Sequence, residues 1–375
     1  MMPAQPTNFN MATLSVAQFG PYPPSMMGGV STHIRRLHRR LLKEGAHSQV
    51  FARMKGKSRD PGVIVQHGFG RPLCYLSSAL CPGYRVDAKI VHCHDYWGHL
   101  APSLNRLLLR GKRVVVTVHD QRDEEKRGSM GLLQLLSSML LLRQPKVQWI
   151  AVSDTVRAQL RNRGVAPDRC FVIPAYLPPD TASQNTDRLP SEIERFAAMH
   201  SPLLSVYGYR LWLENGIDVY GFDMCIELVK RLKNQYPKIG LVISLPCIYL
   251  QEYYNTLAVR VSRDGLSENI LFYTEPMDEA YPLWKASDIY LRPTSTDGDA
   301  VAIREALSLG TPVVASDIVS RPQGVNLYHH REQSGFFETV SAVLENRQEI
   351  RTSLRRLPSV DRFEDIARIY QTVSS

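Results

Sequence analysis

The run YLRPTSTDGDAVAIREALSLGTPVVAS, Tyr290 to Ser316, decides how the chain is read. Ile289 and Leu291 lead as an apolar strand into a polar loop of Pro293, Thr294, Ser295, Thr296, Asp297, Gly298 and Asp299. From about Val301 to Leu309 apolar residues recur at helical spacing, at Val301, Ala302, Ala306, Leu307 and Leu309, and Gly310 is placed to stop the helix. Thr311 to Ser316 then returns as a short buried strand. Asp297 in the loop and Glu305 on the helix flank a helix start, where free N–H groups and the positive dipole end favour an anionic or hydroxyl-rich ligand. Two carboxylates so placed suit a sugar, one accepting from pyranose hydroxyls and the other from a ribose. The plain alternative is that Asp297 or Asp299 caps the helix and Glu305 is a solvated helix charge.

This stretch resembles the signature of the retaining, nucleotide-sugar-dependent glycosyltransferases of family 4, whose pattern is P-S-x-x-E-G-F-G-x-x-x-x-E-A-x-x-x-G-x-P-V-V-A. Glu305, Ala306, Gly310, Pro312, Val313, Val314 and Ala315 match, while Asp297 replaces the first Glu and Asp299-Ala300 the Phe-Gly pair. The resemblance implies a GT-B fold: α/β, with two Rossmann-like domains facing each other across a cleft. It implies Asp297 and the N–H groups of Gly298, Asp299, Ala300 and Val301 on the donor sugar, and Glu305 on the nucleotide ribose.

The rest of the chain is weighed against that. At 375 residues two domains are expected. A hydrophobic share of 44% is ample for sizeable cores, and the formal net charge of +9 suits anionic partners such as nucleoside diphosphates or an acidic membrane surface. No nucleic-acid-binding module stands out and the basic residues are widely spread, so no nucleic-acid partner is expected. The six cysteines form no metal-ligand spacing and read as reduced thiols of a cytosolic protein. No signal peptide is apparent. The longest apolar run, Leu132 to Leu142, is too short to span a bilayer, and between core and a lipid-facing surface the core is the reading adopted.

A first strand, Ala12 to Gln18, precedes a Pro- and Gly-dense loop ending in Gly28 and Gly29 and then a helix. That helix carries Arg35, Arg36, Arg39, Arg40 and Lys43, with Ile34, Leu37 and Leu41 opposite. It is either a core helix with a solvated face or a basic amphipathic helix on an anionic membrane. His92 and His94 share one face of a strand, so a metal is considered, but a third ligand at fixed spacing is lacking and none is expected. Lys112 to Val118 is a continuous apolar strand ending in His119, where a crevice should lie. Further strands end at Ser153 and near Pro174. Pro178 to Asp187 reads as a linker, and alternating strands and helices resume from Pro202.

The family resemblance extends to these parts. It implies that Gly28, Gly29 and Val30 border the transferred group, that His119 contacts the donor sugar at the reacting centre, and that His94, Asp95 and Ser153 lie on the acceptor side. It implies Arg210 as one diphosphate cation; the family's second, a Lys, is absent, with Tyr220-Gly221 in its place, and Lys230 or Arg292 could compensate. Expected domains are residues 1–180, binding acceptor, and 181–359, binding nucleotide sugar, with a last helix at about 360–375 returning to the first. The expected activity is metal-independent, cofactor-free hexosyl transfer with retention, His119 and Asp297 serving as catalytic residues. The donor is a nucleotide sugar and the acceptor a glycan or lipid-linked glycan of cell-surface polysaccharide synthesis. The expected location is the cytoplasm, with peripheral attachment to the inner face of the cell membrane as an option. Two alternatives stay open: a nucleotide-sugar epimerase using His92, His94 and Asp95, and a partner subunit that binds without turnover.

Overall fold

The structure is a computed structural model that describes residues 10–23, 28–53, 58, 60–65, 86–94, 97–119, 131–179, 188–297, 300–357 and 361–374. The chain divides into two compact units, Met1–Pro178 with Asp361–Ser375, and Pro179–Val360.

The first unit holds a parallel sheet of seven strands: β1 (Ser15–Pro21), β2 (His47–Arg53), β3 (Val63–Val65), β4 (Ile90–Cys93), β5 (Arg113–Val118), β6 (Val147–Ala151) and β7 (Cys170–Val172). Their order is β3-β2-β1-β4-β5-β6-β7. Unbroken apolar runs such as Val114 to Val116, all fully buried, form such strands because a parallel sheet is covered on both faces. The helices are α1 (Gly29–Lys43), α2 (Trp97–Leu109), α3 (Leu132–Arg143) and α4 (Asp154–Asn162). The final helix of the chain, Phe363–Ser374, packs Phe363, Ile366, Tyr370 and Val373 against Leu14, Val16, Leu37 and Ile90.

The second unit repeats the plan. Six parallel strands, β8 (Leu203–Tyr207), β11 (Gly240–Ser244), β12 (Ile270–Tyr273), β13 (Ile289–Arg292), β14 (Val313–Ser316) and β15 (Val325–Tyr328), run in the order β12-β11-β8-β13-β14-β15. A two-stranded hairpin, β9 (Leu213–Glu214) and β10 (Ile217–Asp218), is inserted after β8. The helices here are α5 (Ser191–Met199), α6 (Phe222–Leu232), α7 (Gln251–Arg263), α8 (Tyr281–Ala286), α9 (Val301–Ser308), α10 (Gln333–Glu345) and α11 (Arg347–Leu354), which makes the last helix α12. In each unit the strand order reverses once, between β1 and β4 and between β8 and β13, and open α/β sheets bind ligands beyond the strand ends at that point.

Two helices differ from the sequence expectation, in opposite directions. On α1, Arg35 and Arg36 are 3% and 5% exposed, so two of the five residues of the basic stripe offered to a membrane are interior. Arg36 donates to the Leu177 carbonyl, Arg39 pairs with Asp60 and Arg40 with Glu44, leaving Lys43 exposed at the helix end. Arg36 and Arg39 thus tie α1 to neighbouring chain segments, and Arg40 is paired at the end of its own helix. On α3, read from sequence as core, Leu132 and Leu133 are 73% and 71% exposed, and Leu136, Met139 and Leu140 are exposed as well. The side it buries is Ser138, Leu141 and Leu142.

Candidate functional site

In the second unit the reversal point is charged. Arg292, last in β13, donates from Nε and Nη2 to the two carboxylate oxygens of Asp297, each at 3.0 Å, and from Nη1 to the Tyr207 carbonyl at the end of β8. Arg321 donates to the same carboxylate at 2.7 Å and to the Ser316 carbonyl ending β14. All three side chains are nearly buried, at 11%, 7% and 2% exposure for Arg292, Asp297 and Arg321. Burial would raise the Asp297 carboxyl, but the two guanidiniums more than reverse this and hold it at about 2. Two fixed cations share one carboxylate, so the strand end carries a net positive charge. The Tyr220 ring lies 5.4 Å from the Arg292 guanidinium, in the place of the missing family Lys.

The other expected donor residues of this unit follow β8 and lie on the β13–α9 segment. Arg210 follows β8 and stacks on Trp212 at 4.1 Å, with Tyr249 at 5.8 Å. Ala300 caps the α9 start and Val301 opens the helix, while Gly298 and Asp299 lie outside the described residues. Glu305 is no solvated helix charge: it is 3% exposed and accepts from the Trp284 indole N–H at 2.8 Å. Lys230 is taken up by Asp264 at 3.2 Å in the last turn of α6, so of the two cations proposed to compensate, Arg292 alone stands at the reversal point.

Asp218 went unnoticed in the sequence. Its carboxylate accepts from the N–H groups of Tyr220, Gly221, Phe222 and Asp223 and from the Tyr253 hydroxyl, filling the N-terminus of α6 with a resident anion. Burial and the nearby Asp223 push its carboxyl up to about 6 against the pull of those donors. Gly221 sits there at φ +68, and a Cβ would meet the Pro293 carbonyl at 2.5 Å. Glycine is what lets the α6 start touch the β13–α9 loop. The Asn215-Gly216 pair turning the preceding hairpin, with both residues at positive φ, was the available signal for this segment.

In the first unit the reversal point is filled by imidazoles. Gly28 stands at φ +146, a value side chains rarely adopt, and Gly29 opens α1. One turn on, His33 places Nδ1 2.6 Å from the Ala175 carbonyl, so Nδ1 carries the proton and the buried Nε2 is left without a partner. His94, following β4, stands with Nδ1 3.3 Å from Nε2 of His119, which follows β5. Its own Nε2 is buried and unpartnered. Burial holds His33 down at about 4 and drives His94 and His119 well below the ordinary histidine value, so all three are neutral. The His92 ring lies against that of His94, with centroids 3.8 Å apart, but its nitrogens are held by the Tyr370 hydroxyl at 2.6 Å and the Thr117 hydroxyl at 2.7 Å, so it has no nitrogen left for acid–base work.

A metal was weighed in the sequence on His92 and His94; the structure instead gathers His33, His94 and His119, one ligand nitrogen each, within 4.8 Å of one another. Three neutral imidazoles thus converge from three separate elements, with one N–H shared between His94 and His119, and no spacing rule would have found them. Ser153 caps α4, its hydroxyl accepting from the Val156 N–H at 3.3 Å. Asp95 lies outside the described residues.

Comparison with known proteins agrees with this architecture. Residues 27–180 match the family described as Glycosyltransferase Family 4, and residues 213–350 match Glycosyl transferases group 1. Among solved structures, WaaG, a glycosyltransferase involved in lipopolysaccharide biosynthesis, superposes with a TM-score of 0.68 at 16% identity, covering 95% of this chain and 99% of its own. A glycosyltransferase from Rickettsia africae gives 0.68 at 15% identity, covering 96% and 99%. Anabaena Alr3699/HepE in complex with UDP and glucose gives 0.65 at 14%, covering 96% and 99%. No curated protein sequence matches the chain significantly. With a family match in each unit and the double Rossmann-like plan, the chain is a glycosyltransferase of the GT-B type.

Proposed function

We propose that the chain transfers a hexose-like sugar, with retention at the anomeric carbon, from a nucleoside diphosphate to a glycan or lipid-linked acceptor of cell-surface polysaccharide assembly in the cytoplasm. The observation that carries this is the buried Arg292–Asp297–Arg321 cluster, whose net positive charge stands where a doubly wound sheet takes its ligand. Arg292 and Arg210 meet the diphosphate and stabilise it as it leaves, so that fixed guanidiniums do the work a metal does elsewhere. Glu305 accepts from the ribose. His119, with Gly28 and Gly29, meets the transferred sugar, and His94, Asp95 and Ser153 the acceptor. Asp297 acts by holding Arg292 in place as much as by touching the sugar. The complexes of HepE with UDP and glucose support a donor of this class.

The test is nucleotide binding in chelator: UDP, GDP and ADP are titrated by calorimetry with EDTA present, then donor turnover is followed with and without it. One nucleotide should bind at micromolar affinity and turnover should survive EDTA. Binding of none of them overturns the donor reading, and turnover abolished by EDTA and restored by zinc overturns metal independence in favour of the three histidines.

A second reading is favoured by Asp218, which occupies with its own carboxylate the helix start that would otherwise face a phosphate. On that reading the chain binds donor without turnover as a partner subunit. It predicts nucleotide binding with no donor consumption by the isolated chain.

A further inference from the structure

The apolar side of α3 is the largest departure from ordinary surface chemistry on the described molecule. Leu132, Leu133, Leu136, Met139 and Leu140, all exposed, recur at helical spacing along one side of a twelve-residue helix. The buried side is held by polar contacts. Ser138 donates to the Gly98 carbonyl and Asn105 to the Ser137 carbonyl, and Arg169 reaches the Leu142 carbonyl. The helix is therefore fixed to the unit with its leucines outward, which is the opposite of how a core helix sits.

We infer that this face docks on a lipid bilayer with anionic headgroups. The helix, about 18 Å long, is too short to cross the hydrocarbon and is suited to lie along its boundary. No helix among the described residues is long and apolar enough to cross. Charge selects the occupant. Residues 97–119 and 131–153, which make α2, α3 and the strands after them, contain no Asp or Glu. Arg106, Arg110, Arg143 and Lys146 are exposed at their ends, and Leu109, 89% exposed, stands next to Arg110. Apolar insertion rimmed by cations fits anionic lipid. The intervening residues 120–130, outside the described set, add four acids and three bases and leave the balance nearly unchanged.

The inference is independent of the donor site, so its test needs neither nucleotide nor acceptor. The full chain is floated with vesicles of zwitterionic lipid alone and with about a third anionic lipid, beside the variant Leu133→Gln/Leu136→Gln/Leu140→Gln. These positions are exposed and Gln is a good helix former, so circular dichroism and Tm should not move. Expected are binding to anionic vesicles, weakening with salt, and at least roughly a tenfold loss in the variant. Absence of binding at low salt overturns the inference. So does equal binding of variant and parent, or equal binding to zwitterionic vesicles. A parent that is dimeric in solution and a variant that is monomeric also overturns it, because a second copy then covers the face.

Discussion

The two units share one strand order and differ in what stands where that order reverses. Beyond β1 and β4 there are neutral imidazoles without a paired charge, His33, His94 and His119. Beyond β8 and β13 there are two arginines on one carboxylate. The same backbone plan thus serves opposite electrostatics, and the side chains at four strand ends decide which. A neutral crevice can accept hydrogen bonds from hydroxyls without attracting phosphate. The cationic one attracts phosphate first. Under the proposed function, this division would keep the diphosphate in one unit and leave the other to the sugar chemistry.

The contrast breaks most severely at Asp297. Removing the carboxylate leaves two nearly buried guanidiniums without their partner, so Asp297→Ala should destabilise the second unit by about 3–5 kcal/mol. Hydrogen exchange should rise through β13, β14 and α9 while the first unit keeps its protection. If protection is retained throughout, the cluster does not hold that unit together.

Acidification tests the other half. Histidines whose folded values lie below 6.5 resist protonation that the unfolded chain accepts, so stability is lost as pH falls below 6.5. For His33, held at about 4, the loss by pH 4 is about 3 kcal/mol. Asp218 works the other way. Its folded value of about 6 lies above the unfolded one, so its contribution is present at low pH and disappears as pH rises through 6, worth about 2 kcal/mol between pH 7 and 4. The first unit should therefore loosen before the second as pH falls from 7 to 4, measured by hydrogen exchange corrected for intrinsic rates. Simultaneous loosening would mean the imidazole cluster is not neutral in the folded chain.

How much of this was legible follows from range. The strand–loop–helix at Tyr290 to Ser316 and the continuous valines of β5 announce themselves locally, and with them the α/β class. Asp297 and Glu305 were visible too, but their partners were not. Arg321 and Trp284 lie 24 and 21 positions away and reach the carboxylates only after the sheet is assembled. The three histidines sit on three elements and converge by topology. On α1 the apolar Ile34, Leu37 and Leu41 are buried as the core-helix reading has it, and what periodicity did not show is that Arg35 and Arg36 are covered as well; on α3, with leucines on both sides, packing alone decides which side is turned inward. There the buried side joins Leu141 and Leu142 to Ser138, which donates to the Gly98 carbonyl.

Glu305 sharpens the comparison next. With one oxygen on the Trp284 N–H, Glu305→Gln retains an acceptor for the indole and should leave the fold within about 1 kcal/mol, while nucleotide affinity falls by about 1–3 kcal/mol. Glu305→Ala would orphan the indole and confuse the two effects. Calorimetry beside thermal unfolding separates them, and unchanged nucleotide affinity in the Gln variant removes Glu305 from the donor site.

The smallest effect concerns an element with no counterpart among the described residues of the first unit. The hairpin β9–β10 turns through Asn215 at φ 50 and Gly216 at φ 78, and its second strand ends in Asp218, which holds the start of α6. An alanine at Gly216 meets no neighbour, so only the backbone preference is lost, about 1 kcal/mol. The substitution reports on how tightly the turn is coupled to Asp218. If the hairpin positions that carboxylate, Gly216→Ala should reduce hydrogen-exchange protection at Phe222 and Asp223, whose N–H groups Asp218 binds, while leaving β8 and β13 unchanged. If protection at Phe222 and Asp223 is unchanged, α6 holds Asp218 by itself, and the hairpin is an addition at the edge of the charged site with no part in forming it.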